Sequence, residues 1–338
     1  VHGFGRKARA LIESSRRQVA KSIGAKAEEI IFTGGGSEAN NLVLWNLLNG
    51  DRKHVVTSSI EHPSILKVLD RLKPFGVSYT PVQVDSYGRI SVNAVLASIR
   101  KDTGLVTIML ANNEVGTIQP VGQLVREINQ LNIPFHSDAV QALGKMTLDV
   151  NALGTQMLSF SGHKFYGPKG CGFLYLKKGS KLKALIVGGG QEHNLRAGTE
   201  NVSSIAALGL AAELAADSLG STISHLSALE TEFRSALKKA CPQVIFNGDS
   251  THHLPGLINV SFPGCNSDVL LAKLDRKGMA VSGGSACTAG AVKPSKVLEA
   301  MSVPEELNLS SLRFSFGKNN RVREITDLVE VLKEISTA

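Results

Sequence analysis

Short apolar runs alternate with longer stretches whose apolar positions recur at helical spacing. Residues 4–23 read as a basic amphipathic helix, with Ala10, Leu11, Val19 and Ile23 among its apolar positions. EIIFT at 29–33 is a short strand, and GGGSEANN at 34–41 opens a helix that runs to about Leu48. HVVTS at 54–58 is the next strand, and EHP at 61–63 starts another helix with Pro63 near its first position. VSYTPV, the turn in DSYGRI and VNAVLASIR at 92–100 continue the alternation. GLVTIMLANNEVG at 104–116 is a strand with a polar end, VGQLVREINQL a helix, and IPFHSDAVQ at 133–141 a further strand ending in polar residues. MLSF at 157–160 and CGFLYLKK are strands on either side of SGHKFYGPKG at 161–170.

Strands separated by helices predict an α/β fold with a mostly parallel sheet covered on both faces. Ligands bind such sheets at the carboxyl ends of the strands. The polar clusters GGGS, EHP, ANNE, HSDAVQ and SGHK all follow strands. After GGGQEHNLRAGTEN at 188–201 the pattern changes to a long Ala-rich helix over 199–218 and a second over about 223–240. LINVSF, a helix at 267–277, MAVSGGSACTAG, LRFSF at 312–316 and a closing helix near 322–335 make a smaller α/β region. The boundary falls near 215–225, giving a large domain over 1–220 and a small one over 221–338.

The 338 residues, 43% hydrophobic and 20% charged, suit a globular protein with a substantial core. No apolar run approaches the roughly 20 residues a membrane span needs, and no membrane association is expected. No basic-then-apolar leader opens the sequence, although it does not begin with Met. The net charge of +8 comes from scattered Lys and Arg, not blocks, so direct nucleic-acid binding is not expected. Cys171, Cys241, Cys265 and Cys287 lie far apart without a C-x-x-C pair, which argues against a metal site or a disulfide framework. A reducing compartment, the cytoplasm, fits that usage.

Lys164 stands on a Gly-flanked bend straight after an apolar strand. A lysine so held can form a Schiff base with an aldehyde if its site lowers its pKa, and it can equally be a solvated loop lysine. GGGS at 34–37 precedes a helix, whose free N–H groups and dipole favour an anion; a plain turn with an N-cap reads the same way. Ser161 and His163 are further donors for such an anion. Asp138 closes a strand, where a buried carboxylate needs a cation such as a protonated pyridine nitrogen. Gln141, three residues on, could reach a ring hydroxyl, and His62 could lie flat on an aromatic ring or simply cap its helix. An aldehyde, an anion, a pyridinium and a ring face together describe pyridoxal phosphate.

TGGGSEANN, EHP, ANNEVGTIQP, DAVQ, SGHKFYGPKG, GGGQEHNLRAGTEN, SGGSACTAG and LRFSFG occur in an order that resembles the cysteine desulfurases, fold-type I pyridoxal-phosphate enzymes of the class V aminotransferase group. SGGSACTAG resembles the long cysteine loop of the first desulfurase group, which feeds iron–sulfur assembly and tRNA thiolation. The resemblance implies a large domain on a mostly parallel seven-stranded sheet flanked by helices, plus a smaller C-terminal α/β domain. Lys164 would hold the cofactor and move the substrate's α-proton, Asp138 would pair with the pyridinium, Gln141 would bond the ring oxygen, and His62 would stack and shuttle protons. Gly36, Ser37, Ser161 and His163 would bind the phosphate, with Thr199 reaching the phosphate of the neighbouring subunit in a homodimer. Asn113 and Arg313 would grip the carboxylate of L-cysteine. Cys287, on a loop made flexible by Gly283, Gly284, Ala286, Ala289 and Gly290, would attack the substrate sulfur and carry it to an acceptor such as an iron–sulfur scaffold or a tRNA thiolation enzyme.

The sequence departs from the family pattern at Ser37, often Thr, and at QEHN in place of Gln-Glu-Arg-Gly over 191–194. The family's usual opening strand has no counterpart ahead of Val1. A selenocysteine lyase or other β-eliminating relative, and a non-catalytic sulfur-carrier scaffold, are alternative readings of the same motifs.

Overall fold

A computed structural model describes residues 2–283 and 294–336. Cys287, Gly284, Ala286, Ala289 and Gly290 lie outside the described residues. The chain divides into two compact units.

The first unit takes residues 1–82, 91–110 and 120–219. Its sheet has seven strands: β1 (Ile30–Thr33), β2 (His54–Ser58), β3 (Ser78–Val82), β4 (Thr103–Thr107), β5 (Phe135–Asp138), β6 (Met157–Ser161) and β7 (Gly172–Leu176). Their spatial order is β1-β7-β6-β5-β4-β2-β3. The β2–β3, β2–β4, β4–β5 and β5–β6 pairs are parallel, and β7 pairs antiparallel with both β1 and β6. The fold expected from the motifs, mostly parallel and seven-stranded with flanking helices, is therefore present. Every residue of β1, β2, β5, β6 and β7 is buried, which is what a sheet covered on both faces requires. Burial costs a polar residue there less when it finds a partner inside the sheet. His136 does so: its Nδ1 lies 2.8 Å from Thr107 Oγ1 and its Nε2 lies 2.9 Å from Ser159 Oγ.

Helix starts follow local chemistry. Pro63–Leu72 has Pro at its first turn and His62 as N-cap. Val202–Asp217 begins at Val202, later than the expected 199, because the Asn201 side chain accepts from Ser204 N and caps it there. The expected strand over 104–116 stops at Thr107, and the expected strand over 133–141 stops at Asp138. In both cases the apolar run outlasts the paired strand. Periodicity cannot tell a buried strand from the buried coil that continues it.

The second unit takes residues 83–90, 111–119 and 220–338. Its antiparallel sheet has the order β10-β11-β9-β8, with β8 (Ile245–Asn247), β9 (Leu257–Ser261), β10 (Ser282–Gly283) and β11 (Ser311–Ser315). Helices Leu219–Ala240, Ser267–Arg276 and Val322–Ser336 supply Phe233, Leu274 and Leu332 to its core, where they join Ile258, Phe262 and Phe314. The two early segments belong here through specific bonds. Gln119 Nε2 donates to Gly88 O at 2.7 Å, Thr117 Oγ1 donates to Tyr87 O at 2.6 Å, and Ile118 N donates to His252 O at 2.7 Å. Nothing in the local sequence of 83–90 or 111–119 announces a partner more than a hundred residues away.

Candidate active site

In the first unit the site is built at the carboxyl ends of parallel strands. β1 runs into the turn that starts helix Gly36–Trp45, and Gly36 is buried there. A Cβ at Gly36 would come 2.5 Å from Val140 Cγ2, so only glycine lets the helix start pack against the loop after β5. Ser37 is exposed and Ser161, at the end of β6, is buried. Ser161 Oγ lies 3.0 Å from His163 Nδ1.

Lys164 occupies the 3-10 turn Gly162–Phe165 between β6 and β7. The turn is tight because Gly162 N donates to Cys171 O at 2.9 Å and Gly167 N donates to Gly162 O at 2.9 Å. A Cβ at Gly162 would lie 2.7 Å from Leu208 Cδ1. The lysine is thus carried on a short rigid bend packed against helix Val202–Asp217, not on a solvated excursion. Its charge lowers the pKa of His62 and of His163, in each case after the larger effect of burial.

Asp138 ends β5 and is 6% exposed. Burial pushes its carboxyl upward, opposed by hydrogen bonds from Asn40 and from Val140 N and by the charges of His62 and Lys164. Asn40 Nδ2 donates to Asp138 Oδ2 at 2.7 Å and to Ser64 Oγ at 2.8 Å. Ser64 Oγ lies 2.8 Å from His62 Nδ1, which also accepts from Ser64 N at 3.1 Å. His62 therefore caps its helix, the second of the two alternatives read from the sequence, and the charges of Asp138 and Lys164 act on its ring. Gln141 is buried and its Oε1 accepts from Lys145 Nζ at 3.0 Å.

Thr199 is exposed and lines a cavity of about 230 Å³ with Gly34, Arg196 and Asn201. Arg196 Nε pairs with Glu38 Oε1 at 3.0 Å. Glu38 also accepts from Gly34 N at 2.9 Å, which ties the 188–201 loop to the turn before helix Gly36–Trp45. In the second unit, Arg313 Nη1 donates to Asn113 O at 3.0 Å. The two expected substrate-carboxylate residues are neighbours although 200 positions apart.

Several residues had no signal strong enough to be singled out from the sequence. Asn40 and Ser64 stand inside the quoted stretches GGGSEANN and EHPS, but only the fold puts them in one chain of bonds. Glu61 is buried, accepts from Ser58 Oγ at 2.5 Å and from Met109 N at 2.8 Å, and is pushed up to about 8 by burial, with the charge of Asp138 adding to the shift. Glu192 forms a buried bidentate pair with Arg16, at 2.7 and 2.8 Å.

The residues present fit pyridoxal phosphate on chemistry alone. A buried carboxylate calls for a cation, a glycine-lined helix start with a buried serine calls for an anion, and an amine stands on a rigid bend.

The chain belongs to the class-V aminotransferase family, whose model matches residues 1–328. It is 42% identical over 338 residues to the cysteine desulfurase IscS of Dictyoglomus turgidum, covering 99% of this chain and 86% of that protein. Among solved structures it resembles a NifS-like protein with a TM-score of 0.93 and 34% identity, covering 100% of this chain and 90% of the other. It also resembles SspA in complex with cysteine, with a TM-score of 0.81 and 35% identity over 94% of this chain and 89% of that one.

Proposed function

We propose that this chain is a pyridoxal-phosphate-dependent cysteine desulfurase that converts L-cysteine to L-alanine and leaves the sulfur as a persulfide on Cys287. The observation that carries the reading is the convergence of Lys164, Asp138, His62 and Ser161 at the strand ends of one sheet. The cofactor supplies an electron sink for charge developing at the substrate's α-carbon. Lys164 Nζ would hold it covalently and move the α-proton. Asp138 would meet its ring nitrogen, Gln141 its ring oxygen and His62 its ring face. Gly36, Ser37, Ser161 and His163 would hold its phosphate. Asn113 and Arg313 fix the substrate carboxylate.

In the overall reaction the substrate's C–S bond breaks and an S–S bond forms at Cys287; of the two thiol hydrogens one stays on the persulfide and the other ends on the substrate's β-carbon, which is reduced as the sulfur is oxidised, so that alanine leaves. Cys171 is buried and its thiol is pushed up to about 11, and burial also raises Cys265, so neither is suited to act as a thiolate near neutral pH. The Cys287→Ala variant is expected to keep the absorbance of the lysine-bound cofactor and lose persulfide and sulfide production. Desulfuration at the wild-type rate by that variant would remove Cys287 from the mechanism. Lys164→Ala is expected to lose the lysine-bound absorbance.

The reading extends to a cytoplasmic homodimer in which Thr199 of one copy reaches the phosphate held by the other. It also extends to sulfur transfer onto acceptor proteins such as an iron–sulfur scaffold or a tRNA thiolation enzyme. Exposed Phe4, Leu11, Leu210 and Leu214 on the helices Gly3–Ser22 and Val202–Asp217 support an apolar subunit contact. Transfer of labelled sulfur from Cys287 to each purified candidate acceptor identifies the partner.

A further inference from the structure

The hydrogen bonds around His62 have a direction that chemistry fixes. Asn40 Nδ2 donates to Asp138 Oδ2 at 2.7 Å, the orientation that an ionised carboxylate facing a pyridinium requires, since such a carboxylate only accepts. The same nitrogen gives its second hydrogen to Ser64 Oγ at 2.8 Å. Ser64 Oγ accepts there, and its own hydrogen is left for His62 Nδ1 at 2.8 Å. The backbone N–H of Ser64, always a donor, points at the same Nδ1 from 3.1 Å. Two donors converge on one ring nitrogen. That nitrogen must present its lone pair, and the ring proton then resides on Nε2.

The arrangement is braced from three elements. Asn40 sits on helix Gly36–Trp45 and is fully buried. Asp138 closes β5, and Ser64 lies in the first turn of the helix that His62 caps. The charged groups acting on His62 are Asp138 from β5 and Lys164 from the turn after β6, the first favouring and the second opposing a second ring proton. Glu61, the preceding residue, acts on Asp138 and bonds to Ser58 and Met109 N, away from the ring. Burial is the largest influence on the ring and lowers its pKa.

Resting on the desulfurase reading for its role in turnover, the geometry points to Asn40 and Ser64 as positioning residues. They hold His62 as the neutral Nε2–H tautomer, so that it meets cofactor and substrate as a fixed hydrogen-bond donor and takes up no proton at Nδ1. The chain Asp138 ← Asn40 → Ser64 → His62 couples the group that faces the ring nitrogen to the group that faces the ring. A proton shuttle through Nδ1 is incompatible with it, since a hydrogen on Nδ1 would face the Ser64 N–H.

The test reads the ring nitrogens directly by long-range proton–nitrogen NMR on the full chain with labelled histidine, with and without pyridoxal phosphate. The His62 signals are assigned by their loss in His62→Asn. The wild type is expected to show Nε2 protonated and Nδ1 bare both below and above the ordinary histidine pKa of about 6.5. Ser64→Ala removes the side-chain donor and leaves only the backbone N–H on Nδ1, so it is expected to show a minor Nδ1–H population absent from the wild type, while Ser64→Thr restores the wild-type pattern. A wild-type ring that titrates ordinarily or carries its proton on Nδ1, or a Ser64→Ala protein identical to wild type, overturns the assignment. The readout needs no turnover, so failure of the desulfurase reading would show in the sulfur assay and leave this result standing.

Discussion

At the scale of single residues, two buried titratable groups mark opposite uses of the same sheet. His136 is satisfied on both ring nitrogens by Thr107 and Ser159, and burial drives its pKa down to about 3. It is a neutral strut inside the sheet. Glu61 has partners on Oε1 only, and burial holds its pKa near 8 against an ordinary 4.5. The folded state keeps a proton on Glu61 that the unfolded chain releases. Its contribution is complete below pH 4.5 and is lost as pH rises through about 8. Glu61→Gln keeps an oxygen for Ser58 and Met109 N and no longer titrates. Chemical denaturation across that range is expected to show a smaller alkaline loss of stability in the variant; an equal loss in both proteins would mean that Glu61 is ionised when folded.

At the scale of elements, the loop that carries Thr199 is held by a buried ion pair. Arg16 on helix Gly3–Ser22 donates twice to Glu192 and once to Ile30 O at 2.8 Å, and Phe32 N donates to Glu192 at 2.8 Å. Glu192, His193 and Asn194 all have positive φ, between 47° and 64°. Three consecutive left-handed non-glycine residues cost energy and persist only where the surroundings impose them. The Arg16–Glu192 pair and the Arg196–Glu38 pair supply that restraint. Removing one partner leaves a buried charge without its counter-ion, so Arg16→Met is expected to cost about 3–5 kcal/mol in urea unfolding. Arg16→Met combined with Glu192→Met is expected to cost less than the sum of the two single changes. The departure at 191–194 from the family's Gln-Glu-Arg-Gly leaves this clamp intact, because the glutamate that carries it is retained.

At the scale of the whole molecule, the proposed assembly has its own test. Leu210 and Leu214 are one helical turn apart and each about half exposed. Leu210→Asp with Leu214→Asp is expected to shift the protein from dimer to monomer in analytical ultracentrifugation and to weaken cofactor retention through loss of Thr199 from the neighbouring copy. A double variant that stays dimeric places the subunit contact elsewhere. Among the described residues no single helix is long and apolar enough to cross a membrane; helices Val202–Asp217 and Leu219–Ala240 reach that length only across a 70° bend.

Much of the first unit was legible in the chain because its determinants are local. Short apolar-rich runs mark the buried strands, glycines mark the helix start at 34–36, and Pro63 marks another. The motif order also carried the family and the candidate residues Lys164, Asp138 and His62. Other features depend on groups far apart in sequence and needed the tertiary structure. The residues 83–90 and 111–119 join the second unit through bonds to each other and to His252, and Arg313 meets Asn113 across 200 positions. Asn40 and Ser64 carry no distinctive local pattern; their role comes from donors and acceptors on separate elements meeting at hydrogen-bonding distance. Sequence alone determined which chemistry the chain brings to its strand ends. Tertiary structure decided which nitrogen of His62 carries the proton, because that depends on where two donors point and not on which residues are present.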